Sequence, residues 1–183
     1  NSACSGFVFA LNTAVQFVQS GTYRNVLVVG TEKLSTIVNY EDRNTCVIFG
    51  DGAGAMVLRP FEDAGRGEVL STSISTDGGP EKDSVLMVAA GGSRMPASHE
   101  TVDQKLHTMV MGGNKVYRFA VSTFSRLVRT SLEPYGGFEQ LGRVVPHQVN
   151  QRIVEAACER LDMPVDMVFS NIHKYGNTAA ASV

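Results

Sequence analysis

The feature that most constrains the fold is an alternation of short apolar runs with stretches of helical period. Val26-Leu27-Val28-Val29, closed by Gly30, and Ala55-Met56-Val57-Leu58, ended by Pro60, read as strands, the first of the kind found in the interior of a sheet. Residues 4–20 are apolar nearly all round, predicting a helix buried on every side and stopped at Gly21. Residues 114–132 repeat Val116, Phe119, Ala120, Phe124, Leu127 and Val128 at helical spacing, and residues 150–161 predict another helix. Residues 68–76 alternate like a strand, and 144–145 and 167–170 read as short strands. Residues 62–67 read as a linker, and 77–107, rich in Gly, Ser, Pro and charge, as a long excursion from the core. Strands alternating with helices predict an α/β fold with a largely parallel sheet.

Composition narrows the function. Hydrophobic residues make up 43% and charged residues 19%, enough for a packed core. Sixteen basic against eighteen acidic residues leave a net charge of −2, with no general attraction to nucleic acid or an anionic membrane. No apolar run approaches the ~18 residues of a membrane span, and no basic-then-apolar signal opens the chain. Three cysteines, at 4, 46 and 158, do not form a disulfide framework and fit a reducing, cytoplasmic setting. The chain opens without Met and closes in a run that reads as the start of a helix, which predicts an internal piece of a longer protein.

Cys4 has two readings. At the N-terminus of a buried helix, unpaired N–H groups and the helix dipole favour a reactive thiolate; otherwise cysteine is a small core hydrophobe. Cys46 and Cys158 sit in apolar runs and carry only the second reading. His147 follows Pro146 at the C-terminal end of an apolar run, where α/β sheets build their sites, and His173 follows a similar run. His99 and His107 read as ordinary surface residues. No Cys or His pair has zinc spacing. Gly50-Asp51-Gly52-Ala53-Gly54 lacks the Lys-Ser/Thr ending of a phosphate loop and reads as a structural turn in which small residues let backbones approach closely. Phe49 and Met163 read as core.

In order, these segments make a pattern. Ala3-Cys4-Ser5-Gly6-Phe7, Asp42-Arg43-Asn44-Thr45 leading to Phe49-Gly50-Asp51-Gly52-Ala53-Gly54-Ala55, Pro146-His147-Gln148-Val149-Asn150 and Tyr175-Gly176-Asn177-Thr178-Ala179-Ala180-Ala181-Ser182 resemble the β-ketoacyl-acyl-carrier-protein synthase III family. Gly91-Gly92-Ser93-Arg94-Met95-Pro96 and Met111-Gly112-Gly113-Asn114-Lys115-Val116 extend the likeness over essentially the whole chain. The resemblance implies the thiolase-like α/β fold in αβαβα layers, here incomplete. Residues 1–61 would be the end of the first half, with the nucleophile helix, and 62–183 most of the second.

It also implies a decarboxylating Claisen condensation of an acyl-CoA primer, acetyl-CoA in the first instance, with malonyl-acyl-carrier protein, starting fatty acid biosynthesis. Cys4 would be acylated, and His147 and Asn177 would donate N–H groups to the enolate oxygen. One such fixed donor is worth about 2.7–4 kcal/mol in a well-studied enzyme. Arg43 would contact the CoA nucleotide, and Gly113 and Asn150 the pantetheine channel. Arg152 and Arg118 would meet the acidic carrier protein, although either also fits a solvated helix face. No metal or cofactor is implied, the CoA thioester and the carrier protein's phosphopantetheine being substrates. The full-length protein would be a cytoplasmic homodimer, and the piece alone would not be competent, exposing sheet edges and apolar helix faces. A polyketide-type or secondary-metabolism condensing enzyme on the same scaffold, or an inactive fragment, is the alternative.

Overall fold

The computed structural model describes residues 2–77 and 86–183. Helix α1 (Gly6–Gln19) is entered through a 3₁₀ turn at Ala3–Ser5 and ends before Gly21, whose φ of +70° suits glycine. It buries Phe7, Ala14 and Val15, while Val8 and Phe17 remain 38% and 39% exposed. The expectation of a helix buried on every side is therefore corrected. Among the described residues α1 packs on one sheet, and its apolar composition does not reveal how many neighbours cover it.

That sheet has two strands. Strand β1 (Val26–Glu32) runs antiparallel to β2 (Gly52–Leu58), with Val26 opposite Leu58 and Gly30 opposite Gly54. Val26, Val28 and Leu58 join Phe7, Leu11 and Ala14 of α1 in one apolar cluster. On the other face Leu27, Val29 and Val57 are 64%, 49% and 61% exposed, so β1 is not an interior strand here. The expected largely parallel pairing is also corrected. Among the described residues both ladders are antiparallel, and parallel pairing occurs only at the bridges Phe49–Asn177 and Val144–Val168. A four-residue apolar run satisfies a strand covered on one face or on two, and carries no information on direction.

Strand β2 begins three residues earlier than its apolar run, because the glycine segment is half strand. Its small residues have the close approach expected of them. A Cβ on Gly30 would lie 2.6 Å from the Ala180 carbonyl oxygen, one on Gly54 3.1 Å from that of Ala181, and one on Gly52 3.1 Å from the Thr178 side chain. The last residues of the chain thus lie directly on a floor of glycine backbone.

The expected linker at 62–67 overlaps helix α2 (Phe61–Ala64), closed by Gly65 at φ +64° and tied back by a bidentate Arg24–Asp63 pair at 2.7 and 2.5 Å. Residues 68–76 form no strand. Their alternation finds no ladder partner among the described residues, and Thr72 instead donates to Asn12 of α1 at 2.6 Å. The excursion at 77–107 partly lies outside the described residues, at 78–85. The rest of it contains β3 (Leu86–Val88), paired antiparallel with β4 (Met109–Met111), and α3 (His99–Asp103), started by a Ser98–Thr101 capping box.

Helices α4 (Gly113–Leu132) and α5 (Gln151–Leu161) follow their amphipathic patterns closely. They pack together around Val154, Cys158, Leu161, Met163 and Val168, with Phe124 and Val128 from α4. Asn150 caps α5, its side-chain oxygen accepting from Arg152 N at 3.0 Å. The strands expected at 144–145 and 167–170 reduce to the single Val144–Val168 bridge, and α6 (Ile172–Tyr175) follows. Among the described residues no helix is long and apolar enough to cross a membrane.

Candidate active site

The site is organised by residues 177–182. Asn177 enters it through a two-way backbone bond, its N–H donating to Ile48 O at 2.8 Å and its carbonyl accepting from Gly50 N at 2.9 Å. Gly176, at φ +67°, passes so near the Ile48 carbonyl that a Cβ there would stand 2.8 Å from its oxygen. The Asn177 side chain is oriented by chemistry: Ala179 N–H, which can only donate, lies 2.9 Å from Oδ1. The amide's Nδ2–H₂ is left as the group available to donate, without a hydrogen-bond partner among the described residues.

Ala179 to Ser182 then form a 3₁₀ turn that packs on the Ala3–Ser5 turn, on β1 and on β2. Cys4 and Phe49 pack against the cluster of Leu34, Met109 and Ala179, and a Cβ on Gly6 would sit 3.4 Å from the Ala180 methyl. His147 reaches the same turn from the other side, its Nδ1 lying 2.5 Å from Ser182 Oγ. Cys4, His147 and Asn177, distant in sequence, are thus gathered around one six-residue segment. Ala3 and Ala179 hold φ of +45° and +43°, a region costly for a residue with a Cβ, on the two turns that abut.

The electrostatics correct one expectation. Burial pushes the Cys4 thiol pKa up, and the Glu32 carboxylate pushes it further; a backbone hydrogen bond opposes both without winning. Helix-end stabilisation of a resting thiolate is outweighed, because Cys4 is half-buried and has the Glu32 carboxylate near it. Burial also lowers His147 to about 4, against a smaller opposing effect of the Ala179 backbone. At neutral pH Cys4 therefore rests as a thiol and His147 as a neutral imidazole, which carries a lone pair but is a weaker base than a free histidine.

Gln148 and Glu32 were not foreseen. Gln148 is 2% exposed, and its amide donates to Pro146 O and Phe169 O at 3.0 and 3.1 Å and accepts from Asn171 N at 3.1 Å. It locks the backbone on which His147 is mounted. Glu32 Oε1 accepts from Ala180 N at 3.3 Å, joining β1 to the turn. The one local signal for either was adjacency, Gln148 following His147 and Glu32 ending an apolar strand.

The remaining candidates are more dispersed. Asn150 lines a cleft of about 610 Å³ with Ile48, Ser170, His173 and Gly176, next to Asn177. Gly113 lies in a separate hollow of about 370 Å³ with Gly112, Asn114 and Lys115, so these two do not share one cleft. Arg43 is exposed at the tip of a turn held by Asp42, whose carboxylate accepts from Asn44 N at 3.0 Å and Thr45 Oγ1 at 2.9 Å. Arg118 on α4 and Arg152 on α5 are exposed. Among the described residues no group of three or more His, Cys, Asp or Glu side chains gathers where a metal ion could be held.

The family model for 3-oxoacyl-[acyl-carrier-protein (ACP)] synthase III matches residues 1–78, and that for its C-terminal part matches residues 137–183. The chain belongs to the 3-oxoacyl-acyl-carrier-protein synthase III family. It is 51% identical to β-ketoacyl-[acyl-carrier-protein] synthase III of Caldanaerobacter subterraneus subsp. tengcongensis, over 98% of this chain and 54% of that relative. It is 46% identical to the protein of the same name from Clostridioides difficile strain 630, over 100% of this chain and 55% of that one. The crystal structure of 3-oxoacyl-(acyl carrier protein) synthase III from Pseudomonas aeruginosa PAO1 superposes with a TM-score of 0.84 at 35% identity, over 99% of this chain and 54% of that chain. The chain thus spans about half the length of the synthase III relatives it matches, and its fold is their α/β, thiolase-like fold.

Proposed function

We propose that the whole protein condenses an acyl-CoA primer, acetyl-CoA in the first instance, with malonyl-acyl-carrier protein. The product is a β-ketoacyl-carrier protein and the role is to start fatty acid biosynthesis. The observation that carries this reading is the gathering of Cys4, His147 and Asn177 around residues 177–182 in a synthase III chain.

On this reading Cys4 is the nucleophile. Its sulfur bonds the acyl carbon while the bond to the CoA sulfur breaks, leaving an acyl-thioester on the protein. Loss of CO₂ from the malonyl group then leaves an enolate, whose oxygen takes N–H donors from Asn177 and from protonated His147. The enolate carbon attacks the Cys4 acyl group and frees the sulfur. The orientation of the Asn177 amide supports the donor role, since Oδ1 is committed to Ala179 N–H. Arg43 would take the CoA nucleotide, Asn150 and Gly113 the pantetheine arm, and Arg152 and Arg118 the acidic carrier protein. The chemistry calls on no metal or redox cofactor. The same reading divides the chain at residues 61 and 62 between two thiolase-like halves, and gives the whole protein a cytoplasmic setting and a homodimeric state.

Labelled acetyl-CoA offered to the full-length protein tests this directly. Label is expected on Cys4, and product is expected with malonyl-carrier protein in preference to malonyl-CoA. Asn177→Ala should keep acylation and lose malonyl decarboxylation. A Cys4→Ala variant that still makes ketoacyl product would overturn the assignment.

A further inference from the structure

We infer that Ser182 is a positioning residue that holds His147 as the tautomer protonated on Nδ1, leaving Nε2 as the bare, proton-accepting nitrogen. Ser182 is 7% exposed, and its hydroxyl oxygen has three polar neighbours. The backbone N–H of Gln148, at 3.1 Å, can only donate. The carbonyl of Ala179, at 2.8 Å, can only accept. His147 Nδ1, at 2.5 Å, is able to do either.

A hydroxyl has one proton and two lone pairs. All three contacts are satisfied together in one arrangement only: the proton points to Ala179 O, and the lone pairs receive Gln148 N–H and His147 Nδ1–H. Were the hydroxyl to donate to Nδ1 instead, its oxygen would turn a lone pair on the Ala179 carbonyl oxygen 2.8 Å away, in a buried place where an unmade hydrogen bond is costly.

The consequence for catalysis rests on the condensing reading above; the tautomer does not. As the Cys4 sulfur bonds the acyl carbon, its proton passes to bare Nε2, and the departing CoA thiolate takes a proton from solvent. His147, now protonated on both nitrogens, donates Nδ1–H to Ser182 and Nε2–H, with the Asn177 amide, to the malonyl thioester oxygen while the bond to CO₂ breaks. After the enolate carbon bonds the acyl carbon and the bond to Cys4 breaks, Nε2 returns the proton to sulfur. One solvent proton is consumed per turnover, matching the loss of one carboxylate as CO₂. Ser182 thus makes the imidazole a base first and a charged donor second.

The test is the ¹⁵N NMR of histidine-labelled protein at pH 7.5, with His147 assigned by its absence in a His147→Gln variant. The wild type is expected to show Nδ1 as the protonated nitrogen and Nε2 as the bare one. Ser182→Ala is expected to remove that preference, Ser182→Thr to restore it, and Cys4 acylation in Ser182→Ala to slow by about tenfold, the loss of one hydrogen bond of about 1.4 kcal/mol. A wild-type spectrum with the proton on Nε2 overturns the inference, as does a Ser182→Ala spectrum identical to the wild type. Neither outcome bears on whether Cys4 is acylated, so failure here is distinct from failure of the condensing reading.

Discussion

Acidification of the wild type beside a His147→Gln variant measures how firmly the site excludes the imidazolium. An unfolded histidine takes its proton near 6.5, whereas folded His147 resists until about 4. Between those values the unfolded chain binds more protons than the folded one, so stability falls as pH falls. The contribution is fully present above about 6.5 and is lost progressively down to about 4. Two and a half units at 1.36 kcal/mol each, discounted for the ring's partial exposure, come to about 2–3 kcal/mol. Glutamine keeps an amide N–H that can reach Ser182 and does not titrate, so the variant should lack this loss. Glu41, Asp42, Asp51 and Asp63, all held below their usual values by hydrogen bonds, weaken the fold at lower pH in both proteins, and cancel in the comparison. Urea midpoints at pH 7.5, 6.0, 5.0 and 4.5 give the two curves. Parallel curves would refute the reasoning, because they would mean that His147 takes its proton as readily folded as unfolded.

Two further outcomes test the framework around the imidazole. Gly30→Ala, which drives a Cβ to 2.6 Å from the Ala180 carbonyl oxygen, should cost about 1–3 kcal/mol in urea unfolding, whereas Gly142→Ala, with nothing within 4 Å, should change little. Glu32→Gln keeps an acceptor for Ala180 N but removes the anion beside Cys4, so alkylation of Cys4 by iodoacetamide at pH 7 should quicken severalfold while that of Cys46 stays unchanged.

The helices α4 and α5 were legible in the chain because an amphipathic stripe is a local property, whereas the cap of α5 by Asn150 was seen only in the structure. Strands were less legible for the converse reason. Leu86–Val88 is a strand only because Met109–Met111 lies beside it, and residues 68–76 alternate convincingly yet meet no ladder among the described residues. Cys4, His147 and Asn177 stood out through ordered motifs. Ser182, though it closes the last of those motifs, carried no role there, and Glu32 lay outside them, because their chemistry exists only once the 3₁₀ turn has been laid on the sheet. The resting charge of Cys4 stayed open in the sequence, since a helix end is visible there and a carboxylate brought up by the fold is not.

The glycine segment, first read as a turn, determines whether the site can exist. His147, Asn177 and Cys4 come from three separated stretches, and what brings them to one turn is the descent of residues 178–181 onto Gly30, Gly52 and Gly54. Any side chain there would lift the 3₁₀ turn, and with it Ser182 and the Ala179 N–H that orients the Asn177 amide. Catalytic geometry is lost over displacements of about 1 Å. The absence of side chains at these glycines of the facing strands β1 and β2 is therefore as much a part of the site as the thiol, because it sets the height of the turn around which Cys4, His147 and Asn177 gather.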